Sequence, residues 1–128
     1  MSAAKILYIE DDPTNRLLVR KLLGVEGYRV FEAGDGPAGI ETAERERPDL
    51  ILLDMGLPGM DGYEIAGRLK QSPELRGIPV IALTASAMAG DEEKTLAAGC
   101  DGYISKPIDL DTFPDRIRAA LVREGVKG

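Results

Sequence analysis

The chain has 128 residues, 44% of them hydrophobic and 30% charged, with a formal net charge of −6 and a sequence pI near 4.7. That is the length and profile of one soluble globular domain, and its acidity argues against a nucleic-acid surface and for a cationic or metal-mediated partner. The absence of His excludes a catalytic histidine dyad, a His-ligated metal and a phosphohistidine carrier, so any metal must sit among oxygen ligands, which favours magnesium, calcium or manganese over zinc.

The opening "MSAAKILYIE" meets acid before any long apolar run, so it does not read as a signal peptide. No apolar stretch approaches the roughly 18 residues needed to cross a bilayer. Residues 5–9, "KILYI", read as a strand buried on both faces. Three acids follow, Glu10, Asp11 and Asp12. Residues 13–25 read as a helix with Asp12 as N-cap, Pro13 in the first turn, and Leu18, Leu22 and Val25 on the inward stripe; Gly27 lies beyond its end. Residues 28–33, "YRVFEA", give a second strand.

The next stretch, "GDGPAG" (34–39), matches the glycine pattern of dinucleotide-binding turns. The chemistry argues against that use. Asp35 would face a pyrophosphate with negative charge, and Pro37 removes an N–H from the helix start that should hold it. The unit also follows the second strand rather than the first. A turn leading into a helix over 37–46, with Ile40 and Ala43 inward, is the simpler reading.

Residues 49–53, "DLILL", form a third buried strand that delivers Asp54, and a helix over 62–71 presents Ile65 and Leu69. A fourth strand, 78–83, ends in "LTAS" and places Thr84 at its tip. A helix over 87–98 shows Met88 and Leu96 and stops at Gly99. Cys100 is the single cysteine; no disulfide can form, and a reducing cytoplasm is the simplest location. A weak fifth strand, 102–105, ends in "SKPI" and places Lys106, after which a helix over 111–123 carries Ile117 and Leu121, with Pro114 in its first turn.

The alternation predicts an α/β fold, (βα)5, with a parallel sheet covered by helices on both faces and right-handed crossovers. Glu10, Asp11, Asp54, Thr84 and Lys106 then collect at the carboxyl edge of the sheet, where open α/β sheets bind ligands. Clustered carboxylates repel by several kcal/mol at an effective dielectric near 20, and a magnesium ion would relieve that while accepting a phosphoryl oxygen. Glu10, Asp11 and Asp54 are therefore candidate ligands, with manganese an alternative ion, and Asp12 is assigned to the helix cap. A phosphoryl group on Asp54 would find its oxygens stabilised by the ion and by Lys106, with no base required.

In this order and spacing, "IEDD", "LLDMGLPGMDG", "ALTA" and "YISKP" resemble the receiver domain of bacterial two-component response regulators, the CheY-like superfamily, over residues 4–123. The stretch "MAGDEEKTLAAGCDGYISKPI" is closest to the single-domain DivK-like group, which implies a lone receiver across 1–128 with no effector domain. The resemblance implies a doubly wound, flavodoxin-like strand order 2-1-3-4-5. It makes Asp54 the phosphoacceptor, Glu10 and Asp11 magnesium ligands together with the Gly56 carbonyl, Thr84 and Lys106 the groups that engage the phosphoryl, Tyr103 a switch aromatic, and Lys106-Pro107 a cis peptide. It makes the chain a signalling acceptor rather than an enzyme acting on small substrates. The donor would be a sensor histidine kinase or a histidine phosphotransfer protein. A target protein would dock on the face of helix 4, strand 5 and helix 5, where Ala87, Met88 and Ala89 lie. Neither nucleic acid nor membrane is an expected partner, and a monomer is expected. Gly56 and Ser86 fall at positions the family varies to tune dephosphorylation. An aspartyl-phosphate phosphatase of the haloacid dehalogenase type resembles this site but needs a second Asp where this chain has Gly56, and a flavin module would want Ser, Thr and Gly where it has acids.

Overall fold

Among the described residues five strands and five helices alternate: β1 (Lys5–Ile9), α1 (Pro13–Val25), β2 (Arg29–Ala33), α2 (Gly36–Glu46), β3 (Leu50–Asp54), α3 (Gly62–Gln71), β4 (Val80–Thr84), α4 (Ala89–Ala97), β5 (Gly102–Ser105) and α5 (Phe113–Arg123). They are seen in a computed structural model that describes residues 3–57, 59, 61–84 and 89–123. All strand pairs are parallel, in the order β2-β1-β3-β4-β5, which is the expected flavodoxin-like arrangement.

Burial follows position in the sheet. The central strand β3, "LILLD", is buried at every residue, whereas the edge strands β2 and β5 are mostly half-buried. Alternate residues face opposite sides, as the pleat requires. Leu7, Ile9, Ile51, Leu53, Val80 and Ala82 pack under α2 and α3 with Ala43, Ile65 and Leu69. Ile6, Tyr8, Leu50, Leu52, Ile81 and Leu83 pack under α1 and α5 with Val19, Leu23, Phe113, Ile117 and Leu121.

Local chemistry sets the helix ends. The Thr14 N–H donates to Asp12 Oδ1 at 2.8 Å, capping α1, with Pro13 in the first turn. Gly27 beyond the helix has φ of 89°, a conformation that favours glycine. In the "GDGPAG" stretch the Ala38 N–H donates to Asp35 Oδ1 at 2.8 Å, so a side chain of the protein already occupies the start of α2. Gly39 lets α2 lie against β1: a Cβ there would stand 2.5 Å from Ile9 Cδ1.

Some expectations need correction. The inward stripe of α1 is Val19 and Leu23, one position on from the expected seam; Leu18 is 38% exposed, Val25 is 85% exposed, and Leu22 is half-buried. Residues 17–19 and 22–23 are apolar throughout, so either stripe is hydrophobic and only the position of the sheet selects one. In α4 Leu96 is 44% exposed and Thr95 is the buried neighbour. The expected start of that helix, Ala87 and Met88, lies outside the described residues. The last helix starts at Phe113 rather than Asp111. The Asp111 N–H is taken by Asp109 Oδ1 at 2.9 Å, which holds the preceding residues in a turn. β4 begins at Val80 because Pro79 has no N–H for the ladder, although its carbonyl accepts from Ile51 N at 2.9 Å.

Candidate functional site

Strand parity assembles the site. Glu10 continues the pleat of β1, its N–H donating to the Ala33 carbonyl at 2.9 Å, so it falls on the same face as Tyr8. Asp54 falls on the same face as Leu52, and β1 and β3 are adjacent. Carboxylate oxygens of Glu10, Asp11 and Asp54 consequently lie within 4.8 Å of one another. Glu10 and Asp54 are buried; Asp11 is exposed. Asp12 is turned away to cap α1.

Lys106 reaches this cluster from two strands away. Its N–H donates to the Thr84 carbonyl at 2.8 Å, which fixes its backbone, and its Nζ lies 3.0 Å from Asp54 Oδ1 and 3.5 Å from Glu10 Oε1. The Lys106-Pro107 peptide is cis. The Gly56 N–H donates to Asp54 Oδ1 at 3.0 Å and so orients that carboxylate. Thr84 ends β4 on the Ala82 face of the pleat, and Tyr103 stands opposite Ala82, packed against the core under α2 and α3. Thr84 and Tyr103 thus share one side of the sheet, while Glu10 and Asp54 lie towards the other.

Two residues that the sequence did not single out join the cluster. The buried Tyr8 hydroxyl donates to Glu10 Oε1 at 2.9 Å, and Asn15 Nδ2 donates to the same oxygen at 3.3 Å. The only signal in the sequence was a tyrosine within an otherwise aliphatic strand, two residues before an acid.

Charge is distributed unevenly. Burial and the neighbouring Asp54 push the Glu10 carboxyl above the usual carboxylate range, against the pull of the Tyr8 hydroxyl and the Asp12 N–H. Burial works against ionisation of Asp54 too, but Glu10, the Gly56 N–H and Lys106 outweigh it and hold its carboxyl lower than usual. Lys106 is raised: burial opposes its charge, and the attraction of Asp54 and Glu10 more than offsets that. Of the coupled pair, Glu10 takes the proton first and Asp54 keeps the charge. The donor set is all oxygen, acidic and short of positive charge, and so fits a hard divalent cation such as magnesium.

Comparison with known proteins gives the same picture. The response regulator receiver domain model matches residues 6–118. The Brucella anthropi polar-differentiation response regulator DivK is 43% identical over 116 residues, covering 91% of this chain and 94% of that one. The receiver domain of a Pseudomonas aeruginosa sensor histidine kinase, described with magnesium coordinated in its active-site cleft, superposes with a TM-score of 0.86 at 36% identity, covering 94% of this chain and 99% of that one. A CheY-like receiver domain protein from Methanospirillum hungatei gives 0.89 at 29% identity, covering 99% and 100%. With the acidic pocket, the strand order and these relatives in agreement, the chain belongs to the response regulator receiver domain family.

Proposed function

We propose that this protein is a DivK-like response regulator that accepts a phosphoryl group on Asp54 from a phosphohistidine of a sensor kinase or phosphotransfer protein. The observation that carries the reading is the buried Asp54 carboxylate, with Lys106 Nζ at 3.0 Å and the Glu10 and Asp11 carboxylates beside it.

Glu10, Asp11, Asp54 and the Gly56 carbonyl would hold magnesium, which when bound supplies positive charge opposite the transferring phosphoryl oxygens. An Asp54 oxygen attacks phosphorus, the bond from phosphorus to the donor imidazole breaks, and the departing nitrogen keeps the electron pair and takes a proton from solvent. This chain's residues act by position and charge: the Gly56 N–H and Lys106 fix the Asp54 carboxylate, and Lys106 then faces the new phosphoryl oxygens. The product is an aspartyl phosphate, a mixed anhydride that water hydrolyses.

The output follows from the opposite side of the sheet. The Thr84 hydroxyl is drawn towards the phosphoryl group, and Tyr103, on the same face as Thr84, moves into the space it leaves. The face of α4, β5 and α5 then changes affinity for a target protein. Met88, part of the expected docking patch, lies outside the described residues. Among the described residues no helix is long and apolar enough to cross a membrane.

The test is incubation with a phosphorylated histidine donor and magnesium. Wild type should acquire a label that alkaline hydroxylamine removes, and Asp54→Asn should acquire none. A stable label on Asp54→Asn, or labelling indifferent to magnesium, would refute the reading.

A further inference from the structure

Resting on the ion site just proposed, we propose that Tyr8 is a positioning residue for it: the Tyr8 hydroxyl fixes the Glu10 side chain so that one carboxylate oxygen is committed to the protein and the other is left for the ion.

The donors around Glu10 are unevenly divided. Oε1 accepts from the Tyr8 hydroxyl at 2.9 Å, from Asn15 Nδ2 at 3.3 Å and from Lys106 Nζ at 3.5 Å. These come from β1, α1 and the segment after β5, so the oxygen is held from three directions. A carboxylate oxygen has two lone pairs, and Oε1 has none to spare. Among the described residues the Asp12 N–H donates to Oε2 at 3.3 Å, whereas Tyr8, Asn15 and Lys106 all turn to Oε1, so Oε2 keeps acceptor capacity.

The shortest of these bonds belongs to Tyr8, which is fully buried. Its ring packs among Ile6, Leu52 and Leu83 in the core under α1 and α5, work a phenylalanine would do equally well. The hydroxyl is what a phenylalanine lacks, and it sits two residues before Glu10 on the same strand face. It therefore sets the Glu10 rotamer from a rigid strand, whereas Lys106 and Asn15 reach Glu10 by longer contacts.

Isothermal titration of magnesium into the unphosphorylated protein tests this directly. Tyr8→Phe keeps the ring and deletes the hydroxyl. Loss of groups that orient metal ligands commonly weakens binding 10–100-fold, and with two donors still on Oε1 the lower end, about tenfold, is expected. Asn15→Ala, which leaves the core untouched, should weaken binding in the same direction by less. The magnesium concentration that half-saturates phosphoryl labelling should rise in step for Tyr8→Phe, with the rate at saturating magnesium within about twofold of wild type. A packing role would not produce that split. Unchanged magnesium affinity in both variants, or a slower saturated rate with unchanged affinity, overturns the inference. If wild type itself fails to bind magnesium, the ion-site reading falls first and the inference with it.

Discussion

Lys106 balances two buried carboxylates, so replacing it by Met tests the electrostatics of the site before any phosphorus is involved. The substitution removes an ammonium 3.0 Å from Asp54 Oδ1 and 3.5 Å from Glu10 Oε1 while keeping an unbranched chain of similar size. Each contact is a gross attraction of about 5 kcal/mol at an effective dielectric near 20. Much of that is offset by what it costs to desolvate the ammonium. Removing one partner from a buried ion pair typically costs about 3–5 kcal/mol. Lys106 is 23% exposed and Glu10 can take up a proton, so the expected loss is smaller. We expect about 2–3 kcal/mol near neutral pH without magnesium, a fall in Tm of about 7–11 °C for a chain of this length. The pH dependence has a definite sign. Asp54, held low partly by Lys106, contributes stability above its unfolded pKa that the variant loses. Glu10, already raised, rises further, and an acid raised by folding destabilises the fold at pH above its unfolded pKa. Both effects fade on acidification, that of Glu10 first because its carboxyl is raised and that of Asp54 only below the usual carboxylate range, so the deficit should shrink progressively as the pH falls from neutral. It should also shrink when magnesium restores positive charge. Thermal unfolding followed by far-UV circular dichroism reads all of these. A variant as stable as wild type near neutral pH, or a deficit that grows on acidification, would refute the argument.

The close approach of α2 to β1 makes Gly39→Ala destabilising, because the new Cβ would stand 2.5 Å from Ile9 Cδ1 and 2.8 Å from Cγ1 on a fully buried residue. Overpacking of about 1–3 kcal/mol exceeds the gain of roughly 1 kcal/mol in helix propensity. The urea midpoint should fall and partly recover in a double variant with Ile9→Val; a more stable Gly39→Ala would show that α2 can move away. Burial first, and the Asp101 charge second, push the Cys100 thiol up to about 11, so little thiolate forms at mildly alkaline pH. Alkylation by iodoacetamide should be slow in the native protein and fast in urea; rapid native labelling would mean that the α4–β5 corner opens readily.

The strands were legible because a parallel strand covered on both faces must be apolar along its length, and "DLILL" and "IPVIAL" have few other uses. The acidic edge was legible because "KILYI" runs abruptly into Glu10 and "DLILL" into Asp54. What the sequence could not show was geometry decided by packing. In α1 the pairs Leu18 with Leu22 and Val19 with Leu23 are equally hydrophobic, and only the sheet beneath makes Val19 and Leu23 the buried pair. In α5 the start depended on whether the Asp109 side chain would hold the turn before Phe113. Tyr8 and Asn15 escaped notice because neither residue type marks an ion site: their relevance lies in donor directions at Glu10, which no spacing encodes.

Under the proposed function the same geometry would link charge to movement. Three carboxylates face one ammonium, so a divalent ion brings the cluster close to neutral. A phosphoryl group carries a charge of about −1.5 to −2, so under the proposed phosphorylation of Asp54 the balance tips negative again. The surplus must be met by donors that carry no countercharge. The Gly56 N–H already serves Asp54, and the Thr84 hydroxyl stands at the next strand end. Thr84 is not independent of the cation, because its carbonyl holds the Lys106 N–H at 2.8 Å. A shift of the β4 tip towards the phosphoryl group would carry the backbone of Lys106 with it, and would do so on the pleat face that Thr84 shares with Tyr103. Under the proposed phosphorylation, the ladder between β4 and β5 that places the ammonium would thus also carry a change in charge at Asp54 to a change in packing at Tyr103.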